Sequence, residues 1–150
     1  MKQPIQCELW EKPELARLPI RECFELLETI AYESHHWRYL LRCRECGQLY
    51  FFEFLEFIDW KHGNDPQYST YIPVETAEEI EILKSTSPGQ LLLFYPRLQI
   101  DRPSDAKSPS VSWIGKDEDL PHPPTLPSRL VAFVRRWLFA SIRVFRAGRS

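Results

Sequence analysis

The stretch Trp37-Arg38-Tyr39-Leu40-Leu41-Arg42-Cys43-Arg44-Glu45-Cys46-Gly47-Gln48-Leu49-Tyr50-Phe51-Phe52-Glu53-Phe54-Leu55-Glu56-Phe57-Ile58 decides how this chain is read. Aromatic and aliphatic runs lie on both sides of Cys43-Arg44-Glu45-Cys46-Gly47. That pattern predicts two strands, 37–42 and 48–58, with the short polar segment as the turn between them. The second run is apolar on both of its faces, as in a central strand covered from both sides. Two thiols two residues apart, followed by glycine, suit a tight turn that aims both sulfurs at one metal ion.

Outward from the hairpin, Pro19 suits the first turn of a helix, and Ile20, Cys23, Phe24, Leu27, Ile30 and Ala31 recur at helical spacing. A helix over 19–32 is therefore predicted, while residues 1–18 carry no clear pattern. Downstream, Gly63-Asn64-Asp65-Pro66 marks a loop, and 68–74 is a strand candidate. Thr76 followed three residues later by Glu79 reads as a capping box opening a short helix over 75–84. Ser87-Pro88-Gly89 ends it; 91–100 reads as a strand, 101–110 as a polar loop and 111–114 as a short edge strand. The fold class expected is α+β: an antiparallel sheet around the CxxCG hairpin, with packed helices and a C-terminal basic amphipathic helix.

The chain has 150 residues, 43% hydrophobic and 13% aromatic, enough to bury a core without relying on metal alone. Residues 1–120 hold all 21 acidic residues against 13 basic ones, whereas 121–150 hold six arginines and no acid. The organisation expected is an acidic domain over 1–120, a stiff linker over 121–127 with Pro121, Pro123, Pro124 and Pro127, and a basic helix over 128–150. Lys2, Gln3 and Pro4 follow Met1 with no apolar run, so no signal peptide is expected. Four cysteines in that setting favour reduced thiols or a metal over disulfides. The expected location is cytoplasmic, with peripheral membrane association open.

A structural zinc takes four ligands in a closed tetrahedron. Cys43 and Cys46 supply two. If 37–42 is a strand, His36 lies seven residues upstream of the turn at about 3.3 Å each, roughly 20 Å away, and cannot reach. His62, at the far end of the partner strand, fails in the same way. Cys7 and Cys23 are the remaining candidates, because distant segments can fold back onto the turn. The competing readings are that Cys7 and Cys23 are small core residues and that the turn binds no ion. A redox CxxC belongs between a strand and a helix N-terminus, and a second strand follows here instead. The hairpin resembles half of a zinc ribbon, over some twenty residues and without the second CxxC.

Function is less legible. No nucleophile elbow, phosphate loop, dinucleotide fingerprint or HExxH motif occurs. An enzyme is not expected, and a hydrolase built on His35, His36 and Glu53 ranks last for want of a nucleophile or a complete metal set. Asp59, Trp60, Asp65, Tyr68 and Tyr71 offer an acidic surface with aromatic anchors, suited to a basic protein partner. Arg129, Arg135, Arg136, Arg143 and Arg146 line one side of the C-terminal helical pattern, opposite Leu130, Val134, Trp137 and Phe145. That side suits an anionic membrane surface or nucleic-acid phosphates, which makes a zinc-stabilised adaptor the alternative function. A compact acidic domain with an aromatic loop is similar to small bacterial proteins such as immunity proteins, which neutralise a cognate toxin. That resemblance implies a non-catalytic inhibitor-like binding protein and assigns no individual residue.

Overall fold

The computed structural model describes residues 1–116. The linker over 121–127, the helix over 128–150 and its five named arginines lie outside the described residues. Six strands form one antiparallel meander in sequence order: β1 (Phe24–Glu33), β2 (His36–Cys43), β3 (Leu49–Glu56), β4 (Gln67–Val74), β5 (Arg97–Arg102) and β6 (Ser110–Ile114). Helices α1 (Glu8–Glu11) and α2 (Ile20–Cys23) flank a 3-10 turn at Pro13–Arg17, ahead of the sheet. Helices α3 (Ala77–Ser85) and α4 (Pro88–Leu91) fill the connection between β4 and β5. The α+β expectation holds for the described residues.

The hairpin on which that expectation rests is β2–β3, with Leu41 opposite Tyr50 and Arg38 opposite Glu53. Its second strand is covered on both faces, and Tyr50, Phe51, Phe52 and Glu53 are all buried. Alternation along the strand sends Tyr50 and Phe52 to one face and Phe51 and Glu53 to the other. The first face packs Leu41, Cys43, Tyr50, Phe52, Tyr71 and Leu98 against Cys7, Leu9 and Ala16 of the N-terminal segment. The second packs Phe51, Ile72 and Val74 against Leu83 of α3 and Leu91 of α4. The capping box is formed, with Thr76 Oγ1 accepting from Glu79 N–H and the Glu79 carboxylate accepting from Thr76 N–H.

Two elements depart from the sequence expectation. The helix over 19–32 is four residues of α2 followed by ten of β1. The β1–β2 register shifts twice, between Leu26 and Glu28 and between Thr29 and Ala31. Each shift displaces the alternation of apolar residues, and the displaced pattern imitates a helical stripe. The strand over 91–100 begins only at Arg97, because Ser87-Pro88-Gly89 opens the short α4 instead of leading straight into the sheet.

The N-terminal segment is tied across the first face around residues 7–10. Trp113 Nε1 donates to Leu9 O at 2.6 Å, Lys116 Nζ donates to Trp10 O at 2.9 Å, and the Trp10 and Trp113 rings lie 4.7 Å apart. Two residues before Leu9, Cys7 reaches the β2–β3 turn.

Candidate metal centre

The turn takes its shape from Gly47, whose φ of +79° lies in the left-handed region that glycine adopts without strain. Gly47 N–H donates to Cys43 O at 2.9 Å and Cys43 N–H to Gln48 O at 2.8 Å, closing the loop between the strands. Cys7 enters from the N-terminal segment as the residue before α1. The Sγ atoms of Cys7, Cys43 and Cys46 all lie within 4.8 Å of one another. Cys7 and Cys43 are buried and Cys46 is exposed.

The sulfur geometry fits a metal. Sulfurs about 2.3 Å from a tetrahedral zinc stand about 3.8 Å apart. The Cys7 and Cys43 sulfurs are separated by 3.8 Å, far beyond the roughly 2.05 Å of a disulfide bond. The Tyr50 hydroxyl, itself fully buried, donates to Cys7 Sγ at 3.1 Å. Burial pushes the Cys7 thiol up to about 12, and the neighbouring sulfurs of Cys46 and Cys43 add to that, against the opposing hydrogen bonds from Tyr50 and the Leu9 N–H. A thiol so placed keeps its proton at neutral pH unless a cation replaces it.

Cys23 does not join the group. Its backbone is held at the turn, where its carbonyl accepts from Arg44 N–H at 2.9 Å, but its Sγ lies 3.5 Å from Leu15 O. Of the expected ligands the structure therefore brings Cys7, Cys43 and Cys46 together and leaves Cys23 outside. His36 stands at the far end of the hairpin, opposite Leu55, as the strand length requires. Tyr50 is the residue that sequence reasoning missed. Its alternation with Phe52 on a buried strand was visible, and a buried phenol needs a hydrogen-bond acceptor.

At the opposite end of the sheet, His36 Nε2 and Arg38 Nε meet the same Glu53 oxygen at 3.0 and 2.6 Å. The Arg38–Glu53 pair is buried, with Thr70 and Gln99 continuing the polar row on neighbouring strands. The Thr70 hydroxyl in this row donates to Gln99 Oε1 at 3.0 Å.

The loop between β3 and β4 holds the expected partner surface. Asp59 N–H donates to Asp65 Oδ1 at 2.8 Å, while Asp59 Oδ1 accepts from the N–H groups of Lys61 and His62. Burial alone would raise the Asp59 carboxyl, but His62 and those two N–H groups outweigh it and hold it below its usual value. Trp60 has no such engagement among the described residues and is 90% exposed, while Phe57, also exposed, packs edge-on against Tyr68. Tyr71 does not belong to this surface. It is 2% exposed, stacked on Phe24 and packed against Phe52, because the β4 alternation turns it into the first-face core.

Comparison with protein-family models, with curated proteins and with solved structures found no match to this chain. Among the described residues no helix is long and apolar enough to cross a membrane.

Proposed function

We propose that the chain is a metal-fastened, non-catalytic binding domain that engages a basic protein partner through the Trp60 loop. The observation that carries the metal half is the convergence of the Cys7, Cys43 and Cys46 sulfurs from two distant parts of the sequence. Thiolates are soft donors that select zinc among the common divalent ions, so zinc is the metal assigned. Its role is structural: it fastens the N-terminal segment to the hairpin turn and so closes the first-face core. The binding half rests on Trp60, a large indole left in water on a loop whose own carboxylates brace the backbone beneath it. Interfaces draw much of their energy from such aromatic anchors, and the surrounding acids select a basic surface.

Asp59 and Asp65 also hold the loop together, so reversing their charge would alter its shape as well as its field. Trp60→Ala is the cleaner test. A partner captured on the immobilised wild-type chain is expected to bind the variant more weakly by about 2 kcal/mol, some 30-fold. Equal affinity for both chains contradicts the assignment of this surface.

A further inference from the structure

The metal reading leaves one corner of the tetrahedron unassigned. We infer that the ion is held by three protein thiolates, Cys7, Cys43 and Cys46, and that its fourth position faces solvent and takes a small exogenous donor. The inference rests on the proposed metal site and adds what the fourth position does. Three observations support it. Among the described residues no fourth cysteine or histidine joins the three sulfurs. Cys23, the nearest alternative by sequence, directs its sulfur at Leu15 O and is packed against the first-face core. On the other side, Cys46 is exposed, and a surface cleft lined by Ile5, Glu8, Lys12 and Glu45 opens onto Cys7 and Cys46.

Closed structural zinc sites take all four donors from the protein, whereas three-ligand sites keep a water that other donors can displace. A site reached through a cleft open to solvent belongs with the second kind. The ligand class is water at rest, exchangeable for a small neutral nitrogen or sulfur donor. The inference concerns ligand exchange at that position and not hydrolysis.

Cobalt(II) loaded into the full chain in place of zinc tests this, because thiolate-to-cobalt charge-transfer absorbance scales with the number of sulfurs bound. Wild type and Cys23→Ser are expected to give the same absorbance per cobalt, and imidazole is expected to shift the wild-type ligand-field bands. Cys23→Ala runs alongside, since it keeps an apolar group at that packing position. A fall of about a quarter in charge-transfer absorbance in both Cys23 variants would overturn the inference by making Cys23 the fourth ligand. A wild-type spectrum unmoved by imidazole would also overturn it, by showing a closed site. Failure of the wild type to bind either cobalt or zinc would remove the metal reading itself, which separates the two claims.

Discussion

Tyr50 and Cys7 form the pair on which the proposed metal centre depends most at the scale of single residues. A hydroxyl that donates to a metal-bound thiolate stabilises its negative charge and fixes its direction, and losing such an outer partner typically lowers metal affinity about 10–100-fold. Tyr50→Phe keeps the ring and its packing against Phe24, so a loss of that size is expected in chelator competition with the fold intact. Unchanged affinity would mean that the hydroxyl merely satisfies itself. The Cys7 thiol is held protonated by burial when no metal is present, and metal must displace that proton. Apparent zinc affinity should therefore rise with pH, with proton release on binding measurable by calorimetry in buffers of different ionisation enthalpy. Glu53 sets a second residue-scale expectation. Removing one member of a buried ion pair strands the other, at a cost of about 3–5 kcal/mol. Arg38 is buried with Nη2 already lacking a partner, so Glu53→Ala should lower urea-unfolding stability by that amount. A change within the ±0.5 kcal/mol usual for exposed positions would show that water reaches the pair.

At the scale of elements, legibility followed the regularity of the local pattern. The hairpin, β4, β6 and the capped α3 could be read because each carries an uninterrupted signature: a doubly apolar strand, alternation, or Thr76 with Glu79. β1 could not, since two register shifts displace its alternation and leave apolar residues at helical spacing. Tyr71, expected on the partner surface, is buried because β4 is covered on both faces from Thr70 to Val74, and that double cover comes from tertiary packing that a strand's period does not show. Residues 1–18 gave no pattern because they gain their structure from bonds to β6 and to the turn, such as Trp113 to Leu9 O. The convergence of Cys7 on the turn was foreseeable only as one of several ways to complete the ligand set.

The base of the Trp60 loop offers an element-scale test. The Glu56 carboxyl is held below its usual range by a hydrogen bond from Gln67 and then by His35, which joins the β1–β2 turn to the ends of β3 and β4. A carboxyl lowered on folding contributes stability above its unfolded pKa, and that contribution is lost as pH falls through the lower folded value. Thermal stability of the wild type should therefore decline more steeply in acid than that of Glu56→Gln. Parallel acid profiles would show that this cluster does not brace the loop.

For the whole molecule, the sheet carries two separate cores. The N-terminal segment packs mainly on the first, with Met1 reaching the second; the proposed metal would fasten it at the turn through Cys7, next to Leu9 and Trp10, whose carbonyls accept from Trp113 and Lys116. A ligand that binds only the folded state raises apparent stability with the logarithm of its concentration over its Kd, so chelation should lower the melting temperature. It should also expose residues 1–18 to protease before the strands are cut. The acidic surplus over 1–120 belongs to this same scale, because it favours encounter with a basic partner without determining where docking occurs.

The measurement that bears most directly on the account is metal content, combined with alkylation of the free thiols in protein purified without a metal-affinity tag. Cys7 and Cys43 are buried, so their protection alone says little; Cys46 is exposed, and only a bound ion would shield it. The expected result is one zinc per chain, with Cys46 unreactive until a chelator removes the metal. A metal-free chain whose Cys46 alkylates at the rate of an unhindered thiol would contradict the central claim.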